Sequence, residues 1–163
     1  MQELKFIAFK GKSIVSKAIR YFTRSRDYSH VAILMPDSKL IEAWDHQGWG
    51  QWTDYSTIAK HTKGTKYEIW ELEVSEEAAA HCMGYYQHHA DLKTPYDYFG
   101  VAGFIFKKTT RHSKKKLFCS ELCITPLCEA KGWDKITPNH ISPESFVDII
   151  QAAGGKIIKE GKV

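Results

Sequence analysis

Three residues in this chain have the types and settings that thiol chemistry requires: His30, Glu42 and Cys119. A free cysteine is mostly protonated at neutral pH and only its thiolate is a strong nucleophile, so a reactive cysteine needs a base, a helix N-terminus, or both. Cys119 follows Lys116-Leu117-Phe118 and precedes Ser120-Glu121-Leu122, which reads as a helix start with Ser120 as a capping candidate. Cys123 and Cys128 lie further into that helix and Cys82 inside another, so these three read as small core hydrophobes in a reduced protein. His30 heads the apolar run Val31-Ala32-Ile33-Leu34, where a strand can fix the orientation of its ring. The other seven histidines (His46, His61, His81, His88, His89, His112 and His140) fall on a polar helix or in loop-like stretches and read as solvated. Glu42 is the odd residue of Leu40-Ile41-Glu42-Ala43-Trp44. A carboxylate there is costly unless paired, and orienting the His30 imidazolium gives it a partner.

The elements that must position these residues follow from periodicity. Val31 to Met35 and Leu40 to Trp44 are strand-like runs separated by the turn residues Pro36-Asp37-Ser38, so they form a hairpin. His30 and Glu42 share a face only if paired residue numbers sum to an even value, as with Met35 opposite Lys39 across a three-residue loop. Leu4 to Phe9 reads as a further strand. The next segment reads as a helix with Ile14, Val15, Ala18, Ile19 and Phe22 on one face and Lys12, Lys17, Arg20, Arg24 and Arg26 on the other. Thr53 is expected to cap a short helix through Ile58. Tyr67 to Val74 reads as a strand, and a helix from Ser75 to about Asp91 ends at Thr94-Pro95. The aromatic, glycine-punctuated stretch from Tyr96 to Phe106 has no clear periodicity. Cys119 to Ala130 is helical with Gly132 as its stop, Ser142-Pro143-Glu144 opens a last helix, and Lys156 to Lys159 closes as a strand.

With 163 residues, 43% hydrophobic content and no composition break, the whole chain, 1–163, reads as a single α+β domain able to bury its own core. No stretch reaches membrane-spanning length, and Met1 to Ile7 lacks the basic and apolar segments of a signal peptide. A cytoplasmic monomer without stable membrane insertion is expected. The +4 net charge comes largely from Lys107 to Lys116, where no aromatic residues are interleaved to stack bases, so no nucleic-acid partner is expected. Cys119 and Cys123 lie one helical turn apart, but no CxxC or HExxH accompanies them, and no metal or cofactor is expected. Gly48-Trp49-Gly50 is a turn without a phosphate-binding lysine. Trp44, Trp49, Trp52, Tyr55 and Tyr96 could line a groove. Tyr28 beside His30 could donate a hydroxyl into the site or simply pack, and Asp97 could orient a substrate amine or cap the turn after Pro95.

The runs Ser29-His30-Val31-Ala32-Ile33, Leu40-Ile41-Glu42-Ala43, Pro95-Tyr96-Asp97-Tyr98-Phe99-Gly100 and Phe118-Cys119-Ser120-Glu121-Leu122 resemble the YiiX-like members of the NlpC-type cysteine peptidase superfamily. That resemblance spans roughly Lys5 to Ile150. It implies a circularly permuted papain-like fold, with a central antiparallel sheet and the nucleophile-bearing helix packed against it. It also implies Cys119 as nucleophile, His30 as general base and acid, and Glu42 as orienting group. The expected activity is hydrolysis of an amide or isopeptide bond in a small peptide or acyl substrate, cell-wall peptides among them. Expected substrate contacts are Tyr28, Trp44, Trp49, Tyr96, Asp97 and Ser120. The alternatives are a lipid-directed thioesterase or acyltransferase of the same fold and a non-catalytic binding or host-interaction protein.

Overall fold

The computed structural model describes residues 1–45, 51–96 and 117–163. The chain runs β1 (Gln2–Lys10), α1 (Ile14–Thr23), β2 (His30–Leu34), β3 (Leu40–Asp45), β4 (Gln51–Ser56), a 3₁₀ turn (Ile58–Lys60) and β5 (Lys66–Val74). Then come α2 (Glu76–Asp91), α3 (Cys119–Lys131), a second 3₁₀ turn (Pro138–His140), α4 (Pro143–Ala152) and β6 (Lys156–Lys162). The six strands form one antiparallel sheet in the order β4-β3-β2-β1-β5-β6. This is an α+β architecture with four helices among the described residues.

The β2–β3 hairpin has the register that the site demands. Ile33 pairs with Ile41 and Leu34 with Leu40, and the Met35 N–H donates to the Lys39 carbonyl at 2.8 Å. Ser38 takes the left-handed conformation, with a φ of 66°, that lets the three-residue loop close. Paired numbers therefore sum to even values, and His30, Ala32 and Glu42 lie on one face.

Alternation along the strands divides the core. Leu4, Phe6, Ala8, Val31, Ile33, Ile41 and Ala43 face α2, α3 and α4, and Phe6 meets Phe146 edge-on with ring centroids 5.1 Å apart. Ile7, Phe9, Ala32, Leu40, Tyr67 and Ile69 form the second cluster on the opposite face. One expectation is corrected: Thr53 does not cap a helix but sits buried in β4 opposite Ala43, and only Ile58–Lys60 is helical, as a single 3₁₀ turn. Gln51-Trp52-Thr53-Asp54-Tyr55 is rich in strand-favouring side chains, and tertiary pairing with β3 outweighs the local capping tendency of threonine.

Candidate active site

The head of β2 is tied down before His30 is reached. Glu144 at the start of α4 accepts the N–H groups of Asp27 and Tyr28 at 3.0 and 3.1 Å, and the Ser29 hydroxyl accepts the Gly11 N–H at 3.0 Å. β2 and β3 are paired only at Leu34 and Ile33. Val31 lies two residues from Ile33, so its N–H points to the same edge. There it stands free of β3 and close enough to the sulfur of Cys119 to favour its thiolate. The N-terminus of α3 thus enters where the two strands part.

That N-terminus is built locally. The Leu117 N–H donates to the Pro95 carbonyl at 3.0 Å, and Phe118 is the extended N-cap. Glu121 reaches back to accept the Phe118 N–H at 3.4 Å, as the third residue of a capping box does. Cys119 becomes the first helical residue, only 4% exposed, where the helix dipole favours negative charge.

The Cys119 thiol and the His30 imidazole are neighbours whose charges act strongly on each other. Burial alone would push the Cys119 thiol up. The charge and proximity of His30, with the N–H groups of Val31 and Ser120, bring it below its ordinary value instead. Burial likewise opposes charge on His30, but the Cys119 thiolate and then Glu42 raise it to about 10. His30 Nε2 lies 2.7 Å from Glu42 Oε2, which leaves Nδ1 for the sulfur. Glu42 is fully buried. Desolvation works against its ionisation, yet hydrogen bonds from His30 and His61 hold it well below the usual carboxylate range. The Ser56 hydroxyl donates to its other oxygen.

His61 is the functional candidate that sequence reasoning missed. Read as a solvated loop residue, it is instead part-buried, its side chain only 7% exposed and its Nε2 3.1 Å from Glu42 Oε2. Its ring stacks on Phe9 at 3.7 Å and on Trp44 at 4.4 Å, centroid to centroid. Reading 51–56 as a strand paired with β3 would have returned the chain to Glu42 and pointed to Ser56 and His61. His30, Glu42 and His61 form the one group among the described residues whose ligand atoms, all within 4.8 Å of one another, could hold a metal ion. Each of those atoms is already engaged in a hydrogen bond, which accounts for the cluster without an ion.

The expected substrate contacts scatter. Trp44 is at the site, half-buried against His61. Tyr28 instead donates its hydroxyl to Glu68, because that buried carboxylate and Lys10 claim it first. Ser120 is fully buried and neither caps the helix nor faces solvent, and its hydroxyl donates to the Ile141 carbonyl at 2.6 Å. Tyr96 bridges to Leu117 through the backbone and packs on the main core. Tyr55 bonds Asp91, and the Trp52 indole N–H reaches Asp54. Trp49 and Asp97 lie outside the described residues, as do the Gly48-Trp49-Gly50 turn, the basic run 107–116 and most of the aromatic stretch 96–106. An apolar groove lined by Trp133, Ile136, Ile149 and Ala153 shares no residue with the triad. Cys82, Cys123 and Cys128 are free, buried and pushed up by desolvation, Cys82 and Cys128 to about 11.

No protein-family model matches this chain, and no curated protein is found to match it. Among the described residues, no helix is long and apolar enough to cross a membrane.

Proposed function

We propose that this protein is a cysteine hydrolase of the permuted papain-like, YiiX-like kind, cleaving an amide or isopeptide bond through an acyl-enzyme. The carrying observation is the run of interacting side chains from Cys119 through His30 to Glu42, closed by the 2.7 Å His30–Glu42 hydrogen bond, with thiol and imidazole shifted in opposite directions toward an ion pair. His30 holds the proton taken from Cys119, and the thiolate attacks the carbonyl carbon. Backbone N–H groups at the start of α3 receive the oxyanion. His30 then protonates the leaving amine as the C–N bond breaks, and water, deprotonated by His30, releases the acid and regenerates the thiol. Glu42 keeps the imidazole oriented and stabilises its charge. Peptides of the bacterial cell wall are one candidate substrate class.

A lipid-directed thioesterase or acyltransferase is the second reading, and α1 favours it. None of its described side chains is fully buried, and Tyr21 is 80% exposed beside exposed Lys17 and Arg24. Intact-mass analysis after incubation with amide, isopeptide and thioester libraries tests both readings. Retention of an acyl group on Cys119, absent in Cys119→Ala, supports a hydrolase, and the class of acyl donor chooses between them. Absence of any adduct or turnover across the libraries contradicts both.

A further inference from the structure

We infer that His61 is a positioning residue of this site, holding the Glu42 carboxylate against His30 so that Cys119 stays poised as a thiolate. The inference rests on the cysteine-hydrolase reading and extends it by a fourth member. Glu42 Oε2 has two donors, and they differ in kind. His30 exchanges a proton with the sulfur in each turnover, so its bond to the carboxylate changes character. His61 has no such duty. Its ring is clamped between Phe9 and Trp44 at interplanar angles of 16° and 3°, and its backbone N–H closes the 3₁₀ turn onto the Ile58 carbonyl at 3.1 Å. A ring held on both faces aims Nε2 at one point, which makes it a fixed donor to a carboxylate whose terminal torsion is otherwise soft.

The charged and titratable groups around Glu42 come from several elements. His30 comes from β2, the Cys119 and Cys123 thiols from α3, and Asp54 from β4, directly opposite. Asp54 is turned aside, accepting the Tyr55 N–H and the Trp52 indole N–H. Ser56, Phe9 and Trp44 do not titrate. His61 is therefore the one ring, other than the base itself, that bonds the orienting carboxylate among the described residues.

Two variants separate a donor from a spacer, with Cys119 alkylation by iodoacetamide as a readout that needs no substrate. His61→Phe keeps a stacking ring and loses the N–H, whereas His61→Gln keeps an N–H and loses the ring. Alkylation at pH 6 is expected to slow about tenfold in His61→Phe, recover by pH 9, and slow only about threefold in His61→Gln, which keeps an N–H for Glu42 but not the clamped ring that aims it. An unchanged profile in His61→Phe, or an equal loss in His61→Gln, overturns the inference while leaving the Cys119–His30 pair standing. If unmutated Cys119 alkylates as an ordinary thiol, the hydrolase reading and this inference fall together. Imidazole ¹⁵N spectra of the unmutated protein provide a measurement independent of variant folding: Nε2 of His61 must carry a proton at pH 7. A bare Nε2 contradicts the assignment.

Discussion

Glu42 on β3 and Glu68 on β5 are carboxylates drawn out of water by the same sheet, and their partners differ in kind. Burial opposes ionisation of Glu68, but hydrogen bonds from Lys10 and Tyr28 outweigh it and hold the group below its usual value. Lys10 lies 2.6 Å away and is raised, burial notwithstanding, by that contact. Tyr28 is pushed far above the phenol range by desolvation and then by Glu68. None of the three changes protonation near neutral pH, so this cluster is an ion pair that fastens β1, β5 and the entry to β2. Glu42 faces two imidazoles, side chains able to hand a proton on from one ring nitrogen to a neighbour, and one of them continues to a thiol. A buried charge becomes a candidate for chemistry through what its partner can pass on, not through being buried.

Neutralising each carboxylate in turn should break the parallel. Glu42→Gln removes the charge opposite the His30 imidazolium and replaces an acceptor with an amide, and turnover should fall about a hundredfold or more. Glu68→Gln should leave turnover and Cys119 alkylation unchanged while lowering stability at pH 7 by about 2 kcal/mol, measured by denaturant unfolding. Because the folded-state value of Glu68 lies below its ordinary 4.5, its contribution is present above that pH and lost as pH falls through the folded value. In Glu68→Gln that acid dependence should be missing.

The two ends also differ in the pH range over which they respond. Turnover should rise as Cys119 ionises and fall as His30 loses its proton near pH 10, giving a bell-shaped profile. Since His30 is raised from 6.5, the stability it contributes is fully present below that value and drains away as pH climbs toward about 10. The smallest effect concerns Cys123, one turn beyond Cys119 and equally buried, yet pushed well up by desolvation, with Cys119 and Glu42 adding to it. Cys123→Ala should cost about 1 kcal/mol through a small cavity and leave Cys119 alkylation as it was.

The hairpin, its register and the place of the helix start were legible because each rests on short-range signals: turn residues at Pro36 to Ser38, the apolar run Val31 to Leu34, and the polar Ser120-Glu121 opening an apolar helical stretch, although the N-cap proved to be Phe118 and not Ser120. Their placement also made His30 and Glu42 readable as a same-face pair. What escaped was set by long-range pairing. β4 gains its strand form from β3, and only that pairing brings Ser56 and His61 to Glu42. Tyr28 sits beside His30 in sequence, but its ring and hydroxyl are claimed by Lys10 and Glu68, from strands far away in the chain. The parting of β2 and β3 that admits Cys119 has no residue-level signature, since it depends on where α3 lands.

The most direct test is the pH dependence of iodoacetamide labelling, resolved by peptide, for the unmutated protein and His30→Ala. Cys119 should label fast near pH 6 ahead of the other three cysteines. It should lose roughly a hundredfold or more of that rate in His30→Ala, as a thiol returning to an ordinary pKa of about 8.5 would. If Cys119 titrates near 8.5 in both proteins, there is no thiolate–imidazolium pair and the site is not a hydrolase centre.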